Sequence, residues 1–305
     1  MKMISFVIPC YRSSETLPGV IKEIQDTMEK LDKYTYEIIL VNDCSPDDTF
    51  ETITALCEAN DHILGINLAK NFGQHSALMA GFKYAKGDII VCLDDDGQTP
   101  ANEVDKLLAK IEEGADVVYA KYNQKHHSGF RNWGSHVNEL MTRIMLGKPK
   151  ELFLSSYFAA RRFVVDEMLS YQGAYPYVIG LVLRSTKNIV NVEVNHRDRQ
   201  AGASGYTLKK LLGLWFNGFT AFSVKPLRIA TMTGAVCAFA GFAYGIYTII
   251  KKIFIRPPEL VVGFSALMSV LVFMGGMLML MLGLVGEYIG RMYISMNNSP
   301  QYVIR

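Results

Sequence analysis

Over its first 120 residues the chain alternates short, nearly all-apolar runs with longer stretches whose apolar positions recur at helical spacing. The short runs, at 4–9, 37–42, 63–68, 88–93 and 116–120, are of strand length and rich in Ile, Val and Leu. The longer ones, at 15–31, 49–60, 76–85 and 102–113, have the period of amphipathic helices. Strands that are apolar on both faces belong to a parallel sheet covered by helices on both sides. Such a sheet binds ligands at the carboxyl ends of its strands. Three of those ends are polar here: Pro9-Cys10-Tyr11-Arg12, then Asn42-Asp43-Cys44-Ser45-Pro46-Asp47-Asp48, then Asp94-Asp95-Asp96.

The hydropathy pattern changes in the last third. No charged residue occurs from 229 to 250 or from 260 to 286, and each stretch exceeds the ~20 residues that span a bilayer. Two transmembrane helices are expected. Gly234, Ala238 and Gly241 in the first, and Gly275, Gly276, Gly283 and Gly286 in the second, would allow close packing and association of copies into a homo-oligomer. Upstream, Leu208, Leu211, Leu212, Trp215, Phe219 and Phe222 share a helical face beside Lys209 and Lys210, the pattern of a helix lying in the membrane interface. The expected organisation is therefore a soluble α/β domain at 1–205, an amphipathic interfacial helix at 206–228, two spans within 229–290 and a cytosolic tail at 291–305.

The first residues enter a strand directly and show no apolar signal region, so the soluble part is expected in the cytosol. Five cysteines without paired metal spacing fit reduced thiols. Lys251, Lys252 and Arg256 between the spans oppose export of that loop, against Lys209, Lys210, Lys225, Arg228 and Arg291 on the other side. An even number of spans with a cytosolic start places the loop outside.

Three adjacent carboxylates raise one another's pKa values unless a cation neutralises them, and an oxygen-only set suits Mg²⁺ or Mn²⁺. Asp94, Asp95 and Asp96 thus mark a metal site that would hold phosphates, the lesser alternative being an acidic turn with Thr99 and Pro100 starting the next helix. Ser45, Pro46 and Asp48 have the spacing of an N-cap, a first helical residue and a capping-box acid. Asp43 precedes that cap and is not needed for it. The chain has no GxGxxG and no GxxxxGK[ST], which removes the glycine loops that cradle phosphate. Basic side chains must share that task. Arg197 and Arg199, in a glycine-containing segment before the amphipathic helix, could clamp phosphate by paired hydrogen bonds or form a surface charge run.

Taken together, these segments resemble the family-two glycosyltransferases of GT-A, Rossmann-like fold that use polyprenyl phosphates. FVIPCYRSSETLP is similar to the family's IPxYNExxxLP, ILVNDCSPDDT to VDDxSxDxT, NLAKNFGQHSALMAGFKYAKGD to LxRNFGxxxAxxAGxxxAxGD, and LDDDGQTP to LDADLQxPP. The chain also resembles dolichol-phosphate mannose synthase, and more closely bacterial undecaprenyl-phosphate sugar transferases with two carboxy-terminal spans. The resemblance implies a nucleotide pocket lined by Pro9, Tyr11, Glu15, Asp43, Asp94 and Asp95, with Asp43 on the uracil. It implies Asp94, Asp96 and Gln98 on the metal and diphosphate, Asp96 and Arg199 as the groups acting on the departing diphosphate, and Arg197, Arg199, Ser204 and Tyr206 around the acceptor phosphate. The expected partners are a UDP-sugar, polyprenyl phosphate and the bilayer of the inner membrane, without nucleic acid.

Three positions depart from the family pattern. Arg12-Ser13 stands where Asn-Glu is usual, Gly97 replaces a bulky residue, and 155–162 lacks the aspartate that serves some relatives as a base. A phosphate acceptor, with a second pKa of ~6, is already an anion at neutral pH and needs alignment more than proton removal. A processive polysaccharide synthase would carry more spans and a QxxRW motif, and the chain has neither; an idle scaffold would not need the acidic cluster.

Overall fold

The computed structural model describes residues 1–122, 148–195, 230–237, 264–297 and 299–305, together with positions 143, 227, 239, 243, 246, 247, 250 and 254. It divides into one unit of Met1–Gly218 with Asn298–Arg305 and a second of Phe219–Asn297.

In the first unit the expected alternation is present as β1 (Lys2–Cys10), α1 (Leu17–Met28), β2 (Tyr34–Asn42), α2 (Thr49–Ala59), β3 (Ile63–Asn67), α3 (Gln74–Tyr84), β4 (Ile89–Cys92), α4 (Val104–Glu112) and β5 (Val117–Tyr122). Then follow β6 (Phe158–Arg161), α5 (Arg162–Leu169), α6 (Val178–Ser185) and β7 (Ile189–Val194). The sheet order is β3-β2-β1-β4-β6-β5-β7. It is mixed rather than wholly parallel: β6 runs against both β4 and β5, whereas the other pairs are parallel. A four-residue Phe-Ala-Ala-Arg strand carries too little pattern to announce itself; its pairing on both sides, to β4 and to β5, makes it a strand.

One face of the sheet buries Ile4, Phe6 and Ile8 against Leu17, Ile21 and Ile24 of α1 and Leu107, Leu108 and Ile111 of α4. Each such side chain contributes about 1.5–3 kcal/mol on burial. On the other face α3 lies so near the strands that a Cβ at Gly81 would meet Val7 Cγ1 at 2.4 Å. That close approach fixes where α3 begins, beside the strand ends.

The edge of β3 is covered by the segment that follows the last helix. Leu68 and Ile304 form an antiparallel bridge, Ala69 N donates to Val303 O at 2.8 Å and Arg305 N to Asn67 O at 2.9 Å. An open edge strand invites pairing with other chains, and this segment pairs with the carboxyl end of that edge, from Asn67 to Ala69.

In the second unit, residues 230–237 are helical and α7 (Phe264–Met296) is a single 33-residue helix. The second charge-free stretch ends at 286, no proline lies between 287 and 299, and the helix continues to Met296. Residues 291–296 therefore belong to α7, and 298–305 to the sheet-bearing unit. A Cβ at Gly234 would meet Met281 Cε at 2.9 Å, and Cys237 Sγ lies 3.7 Å from Met277 Sδ. Those pairs run in opposite directions along the two segments, as in an antiparallel hairpin. Among the described residues one helix is long and apolar enough to cross a bilayer, Phe273–Ile294, with mean hydropathy 1.5. Most of the expected 229–250 span and of the 206–228 helix lies outside the described residues.

Candidate active site

Because β1, β2 and β4 are adjacent and parallel, the loops that leave their carboxyl ends face one another. The β1 and β2 loops are joined through Asp47. Its carboxylate accepts from Ser14 Oγ at 3.1 Å, from Thr49 Oγ1 at 2.6 Å and from Ser45 Oγ. Ser45 Oγ and Thr49 Oγ1 in turn accept from Arg12 N and Ser13 N. Burial pushes the Asp47 carboxyl up, but the three hydroxyls outweigh it and hold the group at about 2. Ser45 is thus not a helix cap; α2 starts at Thr49 with Asp48 in the N-cap position. Arg12 (φ 58°) and Cys44 (φ 51°) both take left-handed backbone, a conformation uncommon outside glycine.

Asp43 is buried, and its two oxygens accept from Phe72 N at 2.7 Å and Gly73 N at 2.8 Å. Burial outweighs these two bonds and raises the carboxyl above its ordinary value. Asn71 Nδ2 donates to the Asp43 carbonyl at 3.2 Å. The turn before α3 is therefore built around Asp43, a role that spacing does not reveal.

The three consecutive aspartates have three different surroundings. Asp95 turns back to β1: its Oδ2 accepts from Tyr11 N at 3.0 Å and its carbonyl from Thr16 Oγ1 at 2.6 Å. Burial lifts its carboxyl to about 6 against the pull of Tyr11 N–H. Asp94 Oδ1 accepts from Gln74 Nε2 at 3.0 Å, and its Oδ2 from Ser156 Oγ, in the segment just before β6. Asp96 Oδ1 accepts from Gln98 N at 3.1 Å. Gly97 between them has φ 74°, so the small residue suits the bend. Thr99 is hydrogen-bonded to Tyr122, whose hydroxyl burial raises to about 12. Neither Thr99 nor Pro100 starts α4: a 3₁₀ turn at Ala101–Glu103 intervenes and α4 begins at Val104.

The strand ends thus bring together Pro9, Tyr11, Asp43, Asp94, Asp95, Asp96 and Gln98. Pro9 is buried, Tyr11 is exposed beneath the Arg12 guanidinium, and Glu15 is exposed on the same loop. Arg197, Arg199, Ser204 and Tyr206 lie outside the described residues. Gln74, Ser156 and the hydroxyls around Asp47 belong to the site and carry no sequence signal of their own. His75 also sits here, its ring edge-on to Tyr177 at 5.0 Å, with Nδ1 buried and unpartnered; burial pulls its pKa to about 4.

Among the described residues no three carboxylate, imidazole or thiol groups close into a metal cage. Asp95 is turned toward Tyr11 and Thr16, and the other oxygen-bearing side chains of 94–98 are those of Asp94, Asp96 and Gln98. Mg²⁺-type ions are commonly held by one or two carboxylates together with substrate phosphates, and the set present fits such an ion.

Residues 5–169, more than half of the chain, match the description glycosyl transferase family 2. The chain belongs to this family. Residues 225–292 of the glycosyltransferase match the GtrB C-terminal hairpin. Its fold is similar to glucosyl-3-phosphoglycerate synthase from Mycobacterium tuberculosis, solved with Mn²⁺ and uridine-diphosphate-glucose, at TM-score 0.53 and 20% identity over 72% of this chain and 77% of that one. It is likewise similar to mannosyl-3-phosphoglycerate synthase from Rubrobacter xylanophilus, at TM-score 0.54 and 17% identity over 74% of each chain. The mixed α/β sheet of this family-two glycosyltransferase is a GT-A-like domain.

Proposed function

We propose that this glycosyltransferase transfers a sugar from a UDP-sugar to a polyprenyl phosphate, undecaprenyl phosphate in bacteria, at the cytosolic face of the inner membrane. The observation that carries the reading is a family-two domain followed by a GtrB-type hairpin. The outer surface of α7 supports it: Phe273, Met279 and Leu282 are 64%, 77% and 69% exposed, an apolar surface suited to lipid. The two-span topology and the interfacial helix at 206–228 are part of the same proposal.

In this reading Asp43 accepts a hydrogen bond from the uracil while its other lone pairs keep the Phe72–Gly73 turn in place. Asp94, Asp96 and Gln98 hold Mg²⁺ or Mn²⁺ with the donor diphosphate; the cation, when bound, neutralises charge on the leaving group. The segment at 155–162, matching the stretch that carries a base in some relatives, here presents Ser156 to Asp94 and no carboxylate. The acceptor brings its own anion, so the protein's task is to align that phosphate with the anomeric carbon. In-line attack then inverts the configuration. Arg199 is assigned to the departing diphosphate, where a planar two-pronged donor has the right geometry.

Asp96→Asn should abolish transfer, and chelator should do so reversibly. Full transfer in excess EDTA, or full activity of Asp96→Asn, would contradict the assignment of the oxygen donors.

A further inference from the structure

One turn of backbone touches both carboxylate loops. Phe72 N and Gly73 N hold the two oxygens of Asp43, and the next residue, Gln74, donates through Nε2 to Asp94 Oδ1 at 3.0 Å. Gln74 is also the first residue of α3, and α3 is pressed to the sheet at Gly81, so its first turn has little freedom to shift. Ser156 Oγ holds the second oxygen of Asp94. Asp94 is therefore gripped from two elements, whereas the neighbouring Asp95 is held from β1.

We infer that Gln74 is a positioning residue: through its amide it sets the orientation of Asp94 and ties that carboxylate to the turn built on Asp43, so that the nucleotide end and the diphosphate end of the donor site move as one body. The inference rests on the proposed role of Asp94 at the donor diphosphate. Gln74 is assigned to act through Asp94, the side chain to which its amide donates.

Two physical roles for residue 74 predict opposite signs for Gln74→Glu. If the residue only starts a helix, a carboxylate at the first helical position is favourable, because the N-terminal end of a helix attracts negative charge. If it positions Asp94, the same change replaces a donor by a second carboxylate facing Asp94 and drives it away. We therefore expect Gln74→Glu to melt at or above the temperature of the parent yet to lose about tenfold or more in turnover at saturating donor, the factor that a hydrogen bond to a charged group supports. Gln74→Leu, which removes the amide without adding charge, should lose less than Gln74→Glu. In an Asp94→Asn background Gln74→Leu should cost less than in the parent, since the asparagine oxygen accepts a weaker, uncharged hydrogen bond from the Gln74 amide.

The test is single-turnover transfer from a UDP-sugar, with Mn²⁺ present, for the four single and double variants of the full-length protein in detergent, each with its melting curve. A Gln74→Glu variant that retains parental turnover overturns the inference, as does a Gln74→Leu loss that persists in full when Asp94 is Asn. Full activity of Asp94→Asn alone would instead overturn the assignment of Asp94 to the diphosphate, so the two failures are told apart.

Discussion

Replacing Asp43 separates its structural work from its proposed contact with uracil. Asp43 is 3% exposed, and its carboxylate accepts two backbone N–H groups, from Phe72 and Gly73. Hydrogen bonds to a charged acceptor contribute about 1.5–3 kcal/mol each, but burial costs more than these bonds return, since the carboxyl is raised rather than lowered. Asp43→Leu leaves both part-buried N–H groups without their acceptor, at up to about 1–3 kcal/mol each. Asp43→Asn keeps one acceptor and removes the cost of the buried charge, so its loss should be only about 1–2 kcal/mol. In a domain of this size about 2–4 °C of melting temperature corresponds to each kcal/mol, which puts Asn roughly 2–8 °C below the parent and Leu roughly 4 °C or more below it. The sign with pH follows from the raised pKa. Between the unfolded value, about 4, and the higher folded one, the native state holds a proton that the unfolded state has lost, so the parent loses stability as pH rises through that window. Asn does not titrate, and its deficit relative to the parent should shrink from pH 4.5 towards neutrality. The assay is thermal unfolding followed by circular dichroism, without nucleotide, at both pH values. If Leu is no worse than Asn, or if the Asn deficit grows with pH, the account of the Phe72–Gly73 turn is wrong.

Two further outcomes bear on the site. Gly97→Val should lower both stability, by about 1–2 kcal/mol, and transfer, because a β-branched residue is strained at φ 74°; parental melting and activity would show that the loop tolerates another backbone conformation. Single-turnover transfer should fall as pH drops through the acceptor phosphate's pKa of ~6, and no Asp→Asn or Glu→Gln change outside the Asp43 and Asp94–Asp96 clusters should cost a thousandfold; one that did, with donor binding intact, would reveal a protein base.

The alternation of strands and helices was legible because β1 to β4 are apolar on both faces, and a parallel sheet requires that pattern. The reversed β6 was not, since four residues with two alanines have no period to read. The acidic cluster was legible as a strand-end feature, but three identical side chains give no clue that Asp95 faces β1 while Asp94 faces α3 and Ser156. Asp47 illustrates the same gap: the Ser45-to-Asp48 spacing reads as a helix cap, yet the loop from β1 supplies Ser14, Arg12 and Ser13, and those contacts turn the segment into a clamp between loops. Gln74 and the β3 edge cover at 303–305 are long-range pairings that no local pattern encodes. The charge-free stretches pointed to membrane helices, and the second of them covers most of the apolar part of α7 without marking where that helix ends, at Met296.

Which acceptor receives the sugar is measured directly by where a labelled sugar goes. Purified protein in detergent with Mn²⁺ and a panel of labelled UDP-sugars would be offered undecaprenyl phosphate and, in parallel, the water-soluble 3-phosphoglycerate. The account predicts label in the organic phase as a single sugar on the lipid phosphate, released by mild acid, with one donor strongly preferred and no product from Asp96→Asn. Label that stays in the aqueous phase on phosphoglycerate, or that grows into a polymer, would contradict it.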